Sequence, residues 1–167
     1  MSSSHADAIK QPLWIASDHA GFELKCRLVK YLIDHELHSR WAIHDEGPHN
    51  ADRVDYPDLA WPLTLKVADA LQYTSEARGI LICGTGIGVS LVANRHPEIR
   101  AALAHNLFTA EMARRHNDAQ ILCLGARVIG QDLAFAMVER FLITPFEGGR
   151  HAHRIDRLQQ LSLDSLV

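Results

Sequence analysis

Five short apolar runs, most of them followed by a segment of helical periodicity, constrain this chain more than any other feature. LWIAS (13–17), RWAIHDEG (40–47), GILIC (79–83), RAALAH (100–105) and QILCLG (120–125) read as strands. GFELKCRLVKYLIDHEL reads as a helix, with Phe22, Leu24, Leu28, Leu32 and Ile33 largely along one stripe. Pro57 can occupy the first turn of a second helix reaching about Tyr73. Further helices are expected from the glycine loop through Ala93, over 109–116, over 131–142 and over 152–161. A continuous apolar run such as GILIC is the pattern of a strand covered on both faces. Strands alternating with helices therefore predict α/β architecture: one doubly wound domain over 12–167, with a parallel sheet between helical layers. Residues 1–11, polar and serine-rich, read as a flexible N-terminal tail.

Composition narrows the function classes. With 167 residues and 47% hydrophobic content, the chain can bury a core of its own. A formal charge of −3 leaves no polycationic surface, and the 11 histidines are scattered, so no nucleic-acid partner is expected. Cys26, Cys83 and Cys123 are too few and too isolated for a disulfide framework or a CxxC metal site, which fits a reducing compartment. MSSSHADAIKQ lacks the apolar core of a signal peptide, and no apolar run approaches the roughly 20 residues of a membrane helix. The expectation is a cytoplasmic protein with no membrane partner.

In a doubly wound sheet, ligands gather at the carboxyl ends of the strands. Three places qualify: Ser17-Asp18-His19, Asp45-Glu46-Gly47 and Cys83-Gly84-Thr85-Gly86. The last opens the richest segment, GILICGTGIGVSLVANR (79–95). Its glycines run G-x-G-x-G at 84, 86 and 88 after the third strand, without the G-x-G-x-x-G spacing or downstream acid of a dinucleotide site. It lacks the lysine of a P-loop as well. Such a loop of backbone N–H groups can still hold an anion, whether a phosphate or a developing enediolate. The following helix end would suit a thiolate at Cys83. Position leaves two readings of Cys83 open: a catalytic group at a strand end, or a small buried apolar residue. Cys26 and Cys123, inside a helix and a strand, fit the second description.

Other candidates are weaker singly. Asp18 can cap the first helix, leaving His19 exposed. His116 and Asn117 close a helix just before the fifth strand, where cationic residues favour the helix end anyway. Arg127 follows the fifth strand, and Arg150 and Arg154 lie one helical turn apart, a set matching the multi-donor recognition of phosphate. His151 and His153 point apart on a helix, so no metal site is expected there.

Taken together, ASDHAGFELK (16–25), DYPDLA (55–60), GILICGTGIGVSLVANR (79–95), RRHNDAQILCLGARVIG (114–130) and FEGGRHAHRI (146–155) resemble one family. That family is the type B ribose-5-phosphate isomerases, with relatives acting on other sugar phosphates, galactose 6-phosphate isomerase subunits among them. The resemblance spans residues 13–160. It implies a three-layer α/β/α Rossmann-like domain with a five-stranded parallel sheet, acting without cofactor or metal. It also implies a homodimer or dimer of dimers whose active sites are shared between subunits. Cys83 would be the base moving a proton between aldose C2 and ketose C1, assisted by Thr85. Gly84, Gly86 and Gly88, with Ser90 nearby, would surround the enediolate. His116 would open the furanose ring, Asp18 and Asn117 would hold sugar hydroxyls, and Tyr56 would line the site. His19, Arg127, Arg150 and Arg154 would hold the phosphate. One branch of the family uses a glutamate on the turn after the cysteine position, where this chain has only Ile87 and Val89.

The expected reaction is therefore the interconversion of D-ribose 5-phosphate and D-ribulose 5-phosphate, a step of the non-oxidative pentose phosphate pathway. Two alternatives remain. One is the same chemistry on allose 6-phosphate, galactose 6-phosphate or erythrulose 4-phosphate, with pocket depth near Tyr56, His49 and the arginines deciding. The other is a sugar-phosphate-binding domain without catalysis.

Overall fold

A computed structural model describes residues 9–161. Five strands form one sheet: β1 (Gln11–Ser17), β2 (Trp41–Asp45), β3 (Arg78–Cys83), β4 (Ala101–Leu103) and β5 (Ile121–Gly125). Every pairing is parallel and the spatial order is β2-β1-β3-β5-β4. The helices are α1 (Phe22–Asp34), α2 (Tyr56–Ala70), α3 (Ile87–Ala93), α4 (Leu107–Arg115), α5 (Gln131–Ile143) and α6 (Arg150–Gln159). This is the expected α/β/α arrangement.

Alternation along the strands divides the core into two layers. Leu13, Ile15, Ile80, Ile82, Leu122 and Leu124 face α1, α4 and α5. Ala16, Leu81, Cys83, Ile121 and Cys123 face α2 and α3. Both faces of β3 and β5 are covered, so every residue of these strands is buried. That burial explains why their sequences read as unbroken apolar runs.

Several boundaries and side chains differ from the sequence reading. β1 begins at Gln11, whose N–H donates to Arg40 O at 2.9 Å, so the 1–11 tail cannot extend that far. Residues 1–8 of that tail lie outside the described residues. The first helix stops at Asp34, and Glu36–Ser39 forms a separate 3-10 turn. Ile33 is 49% exposed and Cys26 is exposed, because α1 buries the stripe Leu24, Leu28 and Leu32 together with Lys25. The last helix starts at Arg150, two residues before the expected 152.

α4 likewise begins at Leu107 rather than 109, because Asn106 caps it: the Asn106 side chain accepts the Thr109 N–H at 2.9 Å. Asn106→Ala removes that acceptor and is expected to lower stability by about 1 kcal/mol. Urea unfolding should show the midpoint falling with an unchanged slope; an unchanged midpoint would deny the cap its role.

Candidate active site

The chain leaves β1 for β2 on one side and reaches β3 on the other, so the crevice between β1 and β3 is the sheet's switch point. Asp18 and Cys83 flank it. Asp18 follows β1 and is 8% exposed; its N–H donates to Ile82 O at 3.0 Å, and its Oδ1 accepts the Gly21 N–H at 3.0 Å. Cys83 ends β3, is 5% exposed, and its Sγ accepts the Gly86 N–H at 3.1 Å. Gly86 holds φ +78°, and a Cβ there would lie 2.5 Å from Leu103 Cδ1. Glycine is therefore required for the backbone to turn its N–H onto the sulfur. Cys123, two strand positions back on the same face, is wholly enclosed, and burial pushes its thiol up.

The surroundings of Cys83 come from four segments. Tyr56, at the start of α2, lays its ring on Gly88 so closely that a Cβ on Gly88 would sit 2.8 Å from Tyr56 Cζ. The Arg127 N–H donates to Gly84 O at 3.0 Å, and its guanidinium reaches back beside Gly84. His19 Nδ1 lies 3.1 Å from Val54 O, joining the β1 turn to the loop before α2. Thr85 is exposed, its Oγ1 accepting the Ile87 N–H at 3.3 Å, whereas the Ser90 hydroxyl donates to Ile87 O at 2.8 Å. Sequence reading overlooked Lys25. This fully buried lysine places Nζ 2.5 Å from Asp45 Oδ1, which also accepts the Gly47 N–H at 2.9 Å. A lysine on the apolar stripe of α1 was the available signal, since a buried charge demands a partner.

His116, Asn117, Arg150 and Arg154 lie elsewhere. α4 runs antiparallel to the strands and ends at the amino edge of the sheet, where His116 and Asn117 precede β5. Asn117, Arg154, His116 and Arg100 line a cavity of about 250 Å³ there. The turn is held firmly. Arg100 Nε donates to Asn117 O at 2.8 Å, and Asp118, at φ +44°, pairs with Arg100 at 3.1 Å and Arg114 at 2.8 Å. Cys83 pairs in register with Gly125 at the other end of β5, so β5 alone separates the two edges by about 13 Å. One chain thus keeps two groups of candidate residues apart: the Cys83 group at the carboxyl edge and the His116 group at the amino edge.

The His116 group contains a trio that the sequence did not announce. The His116 and His151 rings stack at 4.1 Å and 6°. Glu147 Oε1 accepts from Arg115 Nε at 2.7 Å, leaving Oε2 3.8 Å from His116 Nε2 and 3.5 Å from His151 Nε2. Arg115 holds the Glu147 carboxyl below the usual carboxylate range, while burial, with His116 and Arg150 adding to it, pushes the His151 imidazole down. One nitrogen or oxygen of a ligand type from each of the three residues lies within 4.8 Å of the others. The stacked rings, however, aim their nitrogen lone pairs along parallel planes, and a zinc ion about 2 Å from both would require one ring to turn. As arranged, the trio suits a shared proton better than a metal.

Comparison with known proteins agrees with the fold and the motifs. Residues 13–158 match the family described as Ribose/Galactose Isomerase. A putative sugar phosphate isomerase of Rickettsia conorii is 49% identical over 145 residues, covering 87% of this chain and 95% of its own. Ribose-5-phosphate isomerase B of Escherichia coli is 38% identical over 141 residues, covering 84% and 89%. The structure of ribose-5-phosphate isomerase B from Mycoplasma genitalium with bound ribulose-5-phosphate superposes with a TM-score of 0.83 at 37% identity, covering 92% of this chain and 97% of that one.

Proposed function

The chain belongs to the Ribose/Galactose Isomerase family and is an aldose–ketose isomerase of sugar phosphates, and from that premise we propose that it interconverts D-ribose 5-phosphate and D-ribulose 5-phosphate with Cys83 as the base. The observation that carries this reading is the Cys83 sulfur at the β1/β3 switch point, accepting the Gly86 N–H at 3.1 Å beside Asp18. The Cys83 thiolate takes the proton from C2 of the open-chain aldose, and the electron pair forms an enediolate across C1 and C2. Return of that proton to C1 yields the ketose. A carbon acid beside a carbonyl is weak, so the oxygens need donors already in place. The backbone of Gly84, Gly86 and Gly88 supplies them, Thr85 assists the sulfur, and Asp18 orients a hydroxyl.

The sugar lies against Tyr56 and extends toward the phosphate-binding cations. His19 and Arg127 belong to the Cys83 edge, whereas His116, Asn117, Arg150 and Arg154 reach it from a second copy of the chain. Two observations support the second copy: the separation of the half-sites, and exposed apolar residues at the same carboxyl edge. Ile87 is 52%, Leu91 66% and Phe108 69% exposed. Such side chains on α3 and at the start of α4 suit burial in a two-fold interface.

Steady-state kinetics across ribose, allose, galactose and erythrulose phosphates test the substrate. The expected outcome is the highest kcat/KM with the five-carbon pair. Preference for a four- or six-carbon sugar phosphate overturns that choice while leaving the isomerase chemistry intact. Gly88→Ala tests the placement of Tyr56. A methyl group there displaces the ring, so KM should rise roughly tenfold. Wild-type KM in that variant would remove Tyr56 from the site.

A further inference from the structure

We propose that His151 and Glu147 are positioning residues for ring opening: His151 sets the plane of the His116 ring, and Glu147 Oε2 sustains its positive charge. The inference rests on the ribose 5-phosphate reading above and concerns two residues that reading does not use. Its basis is the surroundings of His116. Arg115 comes from α4, Arg150 and Arg154 from α6, and Arg100 from the turn before β4. Of the three carboxylates around these cations, Asp118 is taken up by Arg100 and Arg114, and Glu111 by Arg115 and Arg140. Glu147 is thus the remaining anion facing His116 among the described residues, with one oxygen on Arg115 and the other between the two imidazoles. Without it, an imidazolium would stand beside Arg150 and Arg154 with no carboxylate of its own, since Arg100 and Arg115 keep Asp118 and Glu111.

Stacking has its own consequence. Two face-to-face imidazoles 4.1 Å apart cannot both be charged without strong repulsion, so a positive charge on one excludes it from the other. His151, 5% exposed and with Nε2 3.4 Å from Arg150 Nε, accepts that hydrogen bond in its neutral form. His116, the half-exposed ring at the cavity, is the one placed to hand a proton to a sugar. In ring opening the C1–O4 bond breaks with its electron pair going to O4, which takes the His116 proton. The anomeric hydroxyl then loses its proton, leaving C1=O, and the imidazole recovers a proton from that hydroxyl or from water.

The two directions of the reaction separate this role from a structural one. Ribose 5-phosphate is a furanose that must open. Ribulose 5-phosphate has its C5 oxygen esterified and stays open, so Cys83 can exchange its C1 proton without His116. The measurements are turnover of ribose 5-phosphate, and entry of solvent deuterium into C1 of ribulose 5-phosphate. Glu147→Gln and His151→Ala should lower the first about 10²-fold and leave the second within about twofold. His151→Phe, which keeps a flat ring, should recover most of the forward rate. Equal losses in both measurements, or an unchanged forward rate, overturn the inference while the wild type remains an active ribose 5-phosphate isomerase. A wild type inert toward ribose 5-phosphate overturns the substrate reading first, and the inference with it.

Discussion

Cys83→Ala is expected to lower kcat by about 10³- to 10⁴-fold while KM stays within a few-fold of wild type. The base acts only as the C2 proton leaves, whereas the sugar hydroxyls and phosphate are held by other residues, so the loss belongs to the transition state. Alanine also fits the space, because the sulfur's hydrogen bond is from the Gly86 N–H at 3.1 Å and the strand backbone is unaffected. Cys83→Ser is the sharper variant. It restores an acceptor for Gly86 but replaces the thiol with a hydroxyl, a far weaker acid that does not supply an anionic base, and it should be nearly as inactive. Activity above a tenth of wild type in either variant would remove Cys83 as the base. Such a result would return it to the small-apolar reading that fits Cys123, which is wholly buried two strand positions back in the same layer.

Mixing two inactive variants should restore activity. Cys83→Ala disables the carboxyl-edge half-site and His116→Ala the amino-edge half-site, and the length of β5 keeps the two apart within one chain. In a heterodimer, the His116→Ala chain contributes an intact Cys83 group and the Cys83→Ala chain an intact His116 group. Those halves meet in one of the two sites. Random reassociation makes half the dimers mixed, so recovery should approach about a quarter of wild-type activity. Refolding the variants together, with each refolded alone as control, provides the measurement. A mixture no more active than its components would mean that each chain builds its own site, contrary to the separation of the two edges.

Much of the frame was legible in the chain. The strands GILIC and QILCLG could be read because both faces of β3 and β5 are covered, leaving no polar positions to obscure the pattern. The turns Ser17-Asp18-His19 and Cys83-Gly84-Thr85-Gly86 could be placed at one edge because every crossover is parallel. Local competition produced the misreadings. Asn106 began α4 two residues early by capping it, and Lys25 took an inward position on α1 because Asp45 waits at the end of β2. Cys26 was expected inside, as free cysteines commonly are, yet its position on α1 faces outward.

By itself, the sequence determined the alternation of elements, the parallel sheet, the glycine loop behind Cys83, and the ordered motifs that place the chain in its family. These follow from periodicity and from backbone demands such as the φ of +78° at Gly86, which act within a few residues and leave a local trace. Tertiary structure alone decided which of these residues share an edge. His116 stands just before a strand and Cys83 at the end of one, and only the sheet's direction turns that difference into opposite ends of the domain. The stacking of His116 on His151 and the approach of Glu147 to the Nε2 atoms of both were decided there too. α6 folds back onto the end of α4 from a point more than 30 residues along the chain, and no local pattern encodes such a long-range contact.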